Sequence, residues 1–376
     1  MVEIKGFRGL RYSVSNLSDV ITQPYDKITE EMQEEYYKRQ YNYVRLILNR
    51  ESHASAAKML REWMDKGVLK KDEADSIYPL EQEFQYKGKT FVRRGFFAIF
   101  KLDENDVVKH EKTLSKPKED RLKLLREMEC DLEPIFLLYD RDVKVSYEEK
   151  IAEGTEAEVK NRLYRISGEE VERIRDALLH EKVLIADGHH RYEVALEYLK
   201  EKGAEYKMAV FVSMRDPALI ILPTHRLLYD VTLGKEEESR MRKLFDVEEI
   251  KTMREPEKHE FIMHDGSRIF SLRPKSYNFD EREHTKDYWV LDTAMFQRLV
   301  IEEVFGIQDI EAHVKYVREV NEEMIGKNDL LFLLHPTSIE EVKRVSAHGE
   351  VMPQKSTDFY PKLPSGMVAY DLRSLA

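Results

Sequence analysis

The sequence predicts an α/β protein, with α+β as the alternative class. The expected plan is an N-terminal mixed-sheet α/β domain over residues 1-230 and a smaller C-terminal α+β domain over 231-376. Three observations lead there. Short apolar runs that end in turn residues alternate with stretches of helical period through the first domain. One run, Val183-Leu184-Ile185-Ala186, breaks at Asp187-Gly188 and passes within one turn into an amphipathic helix. From Val231 onward short strands cluster between helices, and the join near Asp230 to Gly234 carries no Pro/Ser linker, so the domains are expected to pack tightly.

In chain order, Phe7 to Tyr12 reads as a β segment and Pro24-Tyr25-Asp26 as a turn. A helix follows from Thr29, a fitting N-cap, to Arg39. Tyr43 to Leu48 is strand-like, Ser55 to Asp65 helical, and Tyr78 to Leu102 a two-stranded unit turning at Lys87-Gly88-Lys89. His110-Glu111-Lys112-Thr113 ends a strand, Ser115 and Pro117 open a helix, and Glu133 to Tyr139 is a buried strand. The Glu/Lys/Arg-rich stretch 147-180, divided at Ser167-Gly168, reads as helical. After Gly188, Tyr192, Ala195, Leu196 and Leu199 share one helical face opposite Glu193, Glu197, Lys200 and Glu201, and Gly203 closes the helix. Tyr206 to Met214 is a strand, and a second strand from Leu219 stops in Thr224-His225-Arg226. The C-terminal domain reads as helix 235-245, strands near 247-251, 259-264 and 268-273, helix 293-305 and strand 330-334. Residues 352-366, with three prolines and no apolar period, form an ordered loop of the kind that lines sites.

Composition excludes several functions. The charge of −11 is spread over interspersed signs, and no basic stripe argues for nucleic acid or a membrane surface. The chain lacks an apolar signal core and any 18-residue apolar run, so it is expected in the cytoplasm. Cys130 is the only cysteine, and Glu129 and Asp131 beside it disfavour a thiolate. His110-Glu111 starts like a zinc-protease helix, but Leu114 stands where the second histidine is required. No Walker loop, dinucleotide fingerprint or nucleophile elbow occurs.

The Asp187 turn holds a carboxylate, two imidazoles and a guanidinium within five residues, where a strand end faces a helix N-terminus and backbone N–H groups attract anions. Local geometry explains Asp187 and Gly188 as cap and turn, but not His189, His190 and Arg191 as well. Arg121, Arg191, Arg226, Lys355 and Lys362 are phosphate-suited donors, joined by His110, His225 and the hydroxyls of Thr113, Thr224, Ser356 and Thr357. Glu111 and Asp187 suit proton removal, Asp187 also Mg2+, and His189 or His190 suits polarising a phosphoryl group.

With Phe7-Arg8-Gly9-Leu10, Pro24-Tyr25-Asp26, His110-Glu111-x-Thr113, Asp120-Arg121, Ala186 to Arg191, Pro223 to Arg226 and Lys355 to Lys362, the chain resembles the domain of unknown function 1015 family over nearly its whole length. The Asp-Gly-His-His-Arg turn is similar to that of the ParB/sulfiredoxin-like superfamily, some of whose members are free-serine kinases using ADP or ATP. That resemblance implies that Asp187, His189, His190 and Arg191 match a nucleotide or phosphate turn, with Glu111 as base and Asp26 as the alternative. The expected activity is phosphoryl transfer on a small phosphorylated metabolite, a nucleotide-dependent serine kinase or phosphoserine-directed transferase. A metal-assisted phosphatase or other hydrolase and a nucleotide- or metabolite-binding regulatory protein are the alternatives. Oligomeric state stays open.

Overall fold

Apolar strands with alternating or continuous burial build a ten-stranded and a six-stranded sheet, beside three two-stranded pairs, in the computed structural model, which describes residues 2-103, 107-108, 116-277 and 279-375. His110, Glu111 and Thr113 lie outside the described residues. The described residues divide into two compact units: 2-103, 107-108, 116-220 and 361-375 form the first, and 221-277 with 279-360 the second. The segment from Pro361 onward thus belongs with the first unit. The expected join at 230/231 falls inside the second.

The first unit is organised on a mixed sheet. Its order is Val107–Val108, Val183–Asp187, Ile135–Tyr139, Tyr206–Ser213, Lys89–Lys101, Ser76–Tyr86, Val159–Tyr164, Lys150–Glu156. Tyr206–Ser213 runs parallel to Ile135–Tyr139, while Val183–Asp187 pairs with the latter antiparallel. Phe96, Ala98, Ile135, Leu137, Ile185 and Phe211 on one face pack with Val171, Ile174, Tyr192, Ala195 and Leu196 from the helices Glu169–Leu178 and His189–Lys202. The second helix is more enclosed than its polar residues suggested. Val194 and Tyr198 bury a further face against Leu122 of the helix Lys116–Met128.

The second unit is an antiparallel sheet, ordered Phe245–Ile250, Ile269–Pro274, Phe261–His264, Leu330–Leu333, His225–Leu228, Val314–Val317. One face carries a core of Leu228, Phe261, Phe270, Phe332 and the helical residues Phe296, Leu299, Val300 and Val304. The helix expected at 293-305 is α over Asp292–Met295 and π over Phe296–Val304. Together the units make the α/β and α+β architecture read from the sequence.

Three expectations are corrected. Tyr43 to Leu48 is not a strand: Val44–Ile47 form a helical turn with Val44, Leu46 and Ile47 all buried, and a short apolar run carries no period to separate the two states. The first part of 147-180 is a hairpin, Lys150–Glu156 with Val159–Tyr164, turning through Ala157 and Glu158 at φ 45° and 63°. Its charged residues alternate with buried ones, so period two was hidden under a helix-like composition. His225 and Arg226 do not follow a strand but lie in one, His225–Leu228. Among the described residues no helix is long and apolar enough to cross a membrane.

Candidate active site

The Asp187 turn is built by a register break. Along Val183–Asp187, Ile185 opposes Leu137 but Asp187 opposes Phe136, so two residues face one and the strand bulges where it ends. Gly188 then takes the left-handed conformation, φ 96° and ψ 29°, and His189 begins the helix. His189 is buried and His190 half-buried.

Two cations close on Asp187. Arg191 Nη2 donates to Asp187 Oδ2 at 2.7 Å, and its Nη1 donates to the carbonyl of Pro134. From the C-terminal segment, Lys362 Nζ approaches Asp187 Oδ1 at 3.4 Å. Both side chains are nearly buried, with 10% of Arg191 and 9% of Lys362 exposed. Burial opposes the charge on Arg191, yet Asp187, Glu133 and Asp26 outweigh it and raise the guanidinium pKa above its usual value. A third cation, Arg93, is enclosed within electrostatic reach of Asp187. Burial lowers its pKa to about 9, which leaves it charged at neutral pH.

The N-terminal turn Tyr25–Lys27 supplies the other wall. Tyr25 N donates to Glu133 Oε1 at 3.1 Å, and Arg121 lies over the Tyr25 ring at 4.4 Å. Burial pushes the Tyr25 hydroxyl up to about 12, with Asp26 and Glu133 adding to burial and Arg191 opposing it. Asp26 itself is exposed. Arg121 is committed locally, donating to Asp120 and, at 2.8 Å, to the carbonyl of Ile47. Cys130 is buried, and burial first, then Asp371 and Asp131, raise its thiol pKa far from the nucleophilic range.

The remaining candidates assemble in the second unit. His225 Nδ1 accepts from Leu334 N at 3.1 Å, a role that requires a neutral ring. Arg226 donates to the carbonyls of Thr224 and, at 3.1 Å, Lys355. Ser356 Oγ bonds Pro353 O at 2.6 Å and Thr293 Oγ1 at 2.9 Å. Thr357 is buried, and Lys355 is exposed with φ 55°. Arg226 therefore fastens the loop rather than presenting its guanidinium. By unit, Asp187 to Arg191 and Lys362 belong to the first, where Arg191 and Lys362 meet at Asp187, while Thr224 to Arg226 and Lys355 to Thr357 form a network of the second.

His225 makes the second unit acid-sensitive. Burial, then Arg226, lowers its pKa from 6.5 to about 4. Between those values the unfolded chain binds a proton that the folded unit refuses, so stability is full above 6.5 and falls as pH drops toward 4, by on the order of 3 kcal/mol. Denaturant unfolding across this range should show that loss, and His225→Gln should flatten it; an unchanged slope in the variant would refute the assignment.

A family model described as "Protein of unknown function (DUF1015)" matches residues 4–294. The chain belongs to this family. No curated protein sequence matches the chain. Among solved structures, this DUF1015 chain is similar to SbnI with a C-terminal truncation from Staphylococcus aureus, at 12% identity and TM-score 0.41, covering 74% of this chain and 89% of that one. It is similar to a conserved hypothetical protein from Pyrococcus furiosus at 17% identity and TM-score 0.37, covering 74% and 97%. A free serine kinase in complex with AMP, also solved with ADP, is similar at 17% identity and TM-score 0.39, covering 74% and 93%.

Sequence reasoning missed Arg93, Gln82, Tyr25 and Glu133 in this DUF1015 chain. A signal existed for one of them: Arg93 and Arg94 are adjacent in a strand, so their side chains take opposite faces and one guanidinium must enter the buried side, where a charge needs a reason. Among the described residues no group of three or more His, Cys, Asp or Glu side chains is placed to hold a metal ion. Gly188 can be tested directly. A Cβ there would stand 3.1–3.2 Å from the Arg191 guanidinium at a φ few side chains tolerate. Gly188→Ala should cost about 1–3 kcal/mol in denaturant unfolding. Stability equal to wild type would show that the turn is not constrained as described.

Proposed function

We propose that the first unit binds a small phosphorylated metabolite at the Asp187 turn and transfers its phosphoryl group, acting as a nucleotide-dependent kinase with ADP or ATP as cofactor and free serine or phosphoserine as the substrate class. The observation that supports this most is the meeting of Arg191 and Lys362, from distant parts of the chain, at one carboxylate directly before the first turn of a helix. Buried cations and helix N–H groups on one side of a turn suit a phosphate better than they suit a solvated surface.

In this reading Arg191 and Lys362 hold phosphate oxygens and Asp187 keeps the two cations aligned. With ATP as donor, serine Oγ attacks the γ-phosphorus, the bond from that phosphorus to the β–γ bridging oxygen breaks, the hydroxyl proton passes to a carboxylate, and ADP leaves. Of the three carboxylates that raise the Arg191 pKa, Asp187 faces two cations and Glu133 accepts from Tyr25 N and Ser365 Oγ. Asp26 is the exposed one, which suits it to take the proton. Mg2+ fits Asp187 poorly, because one oxygen faces Arg191 and the other Lys362. The ion enters the proposal only as the one nucleotides carry, where it neutralises phosphate charge.

The reading is tested by phosphorus NMR of purified protein with ATP, Mg2+ and serine. Conversion to ADP and phosphoserine, abolished in Asp26→Asn, is the expected result. Failure of the wild-type protein to bind ATP or ADP by calorimetry would sink it.

A further inference from the structure

We propose that Arg93 and Gln82 are positioning residues for Lys362, clamping the backbone at Pro361 and Lys362 so that the ammonium stands beside Asp187. The meaning of the clamp for activity rests on the phosphate-binding reading above; its geometry does not. Arg93 is 1% exposed in the strand Lys89–Lys101, flanked by the ring of Phe136 at 4.7 Å. Its Nη2 donates to Gln82 Oε1 and to the carbonyl of Pro361 at 2.6 Å, and among the described residues its Nη1 has no hydrogen-bond partner. Desolvating a guanidinium to hold a main-chain carbonyl is costly, and an apolar side chain would serve packing alone at least as well.

Gln82 completes the clamp. Its Nε2 donates to Lys362 O at 3.1 Å and to Asn161 Oδ1 at 2.9 Å, and Asn161 Nδ2 in turn donates to Val159 O at 3.0 Å. Two successive carbonyls, Pro361 and Lys362, therefore each accept from a buried side chain. Past Lys362 the segment is fastened again, where Ser365 Oγ donates to Glu133 Oε1 at 2.7 Å and the Ser365 backbone pairs with Thr22. A lysine side chain is long and mobile, so its head group is placed only if its backbone is fixed. Anchors on both sides of Lys362 provide that.

The chain offers a clean reporter, since Cys130 is the only cysteine and is 1% exposed. In a Lys362→Cys protein, alkylation by iodoacetamide followed by mass spectrometry reads exposure at position 362, while modification of Cys130 reports global unfolding. Adding Gln82→Met or Arg93→Lys should speed alkylation at 362 by about tenfold, the scale of one lost buried hydrogen bond, with Cys130 untouched. A rate at 362 within about twofold of the parent would overturn the clamp. Should Arg93→Lys unfold, Cys130 would react too, and Gln82→Met decides. In proteins retaining Lys362, the same substitutions should weaken ADP binding, yet add nothing in a Lys362→Met background; additive losses would overturn the positioning role. If wild-type protein binds no ADP, the phosphate reading falls and the alkylation rates still decide the clamp.

Discussion

Lys362→Met is expected to weaken ATP or ADP binding about tenfold to a hundredfold, because a charge-assisted contact to phosphate is worth roughly 1.5–3 kcal/mol. Stability should change little. The Lys362–Asp187 contact is 3.4 Å, near the limit of a hydrogen bond, and Asp187 keeps its 2.7 Å partner Arg191 when the ammonium is gone. Methionine matches the lysine stem, and the Lys362 carbonyl stays bonded to Gln82. Calorimetric titration beside a thermal melt separates the two effects; unchanged affinity would remove Lys362 from the site. Arg191→Ala is a poorer probe, since Arg191 also braces the Pro134 carbonyl and its loss would strand both Asp187 and that carbonyl.

Lys207→Met should destabilise the protein by about 3–5 kcal/mol, the usual result of removing one partner from a buried ion pair. Lys207 and Asp131 are paired with 8% and 6% of their side chains exposed, and Lys207 also donates to Glu133 O at 2.8 Å. Burial lowers the Lys207 pKa, and Asp131 opposes that shift. Without the ammonium, Asp131 keeps the backbone N–H of Met208 at 2.8 Å but no countercharge. Asp131→Asn in the same chain should recover much of the loss, because a neutral amide still accepts from Met208. Denaturant unfolding reads both, and a loss under about 1 kcal/mol in Lys207→Met would show that the pair is not the buried unit described. Asp131 lies two residues before Glu133 and Lys207 donates to the Glu133 carbonyl; Glu133 and Pro134 hold Tyr25 and Arg191, so the pair stabilises the floor of the site.

The strand, turn and helix around Gly188 were legible in the sequence because a buried run, a left-handed glycine and an amphipathic period all signal locally. Lys362 was nameable as a phosphate-suited residue of an ordered loop, but its meeting with Asp187 depends on where the chain re-enters the first unit at Pro361, which no local pattern encodes. The hairpin at 150–164 was hidden for a different reason. In its first strand the outward residues include Lys150 and Glu153, types that also favour helices, and the buried alternation Ala152, Gly154, Glu156 contains a single apolar side chain larger than glycine. His225 and Arg226 show the reverse case. Their residue types fit an anion site, yet main-chain bonds from Leu334 and to Thr224 and Lys355 occupy them.

The central claim is that the Asp187 turn with Lys362 is where a nucleotide phosphate binds. Hydrogen exchange by mass spectrometry, with and without saturating ADP, tests it most directly. The expected result is added protection in the peptides covering 22-27, 185-193 and 361-366. ADP binding that leaves these peptides unchanged and protects peptides of the second unit instead would contradict it.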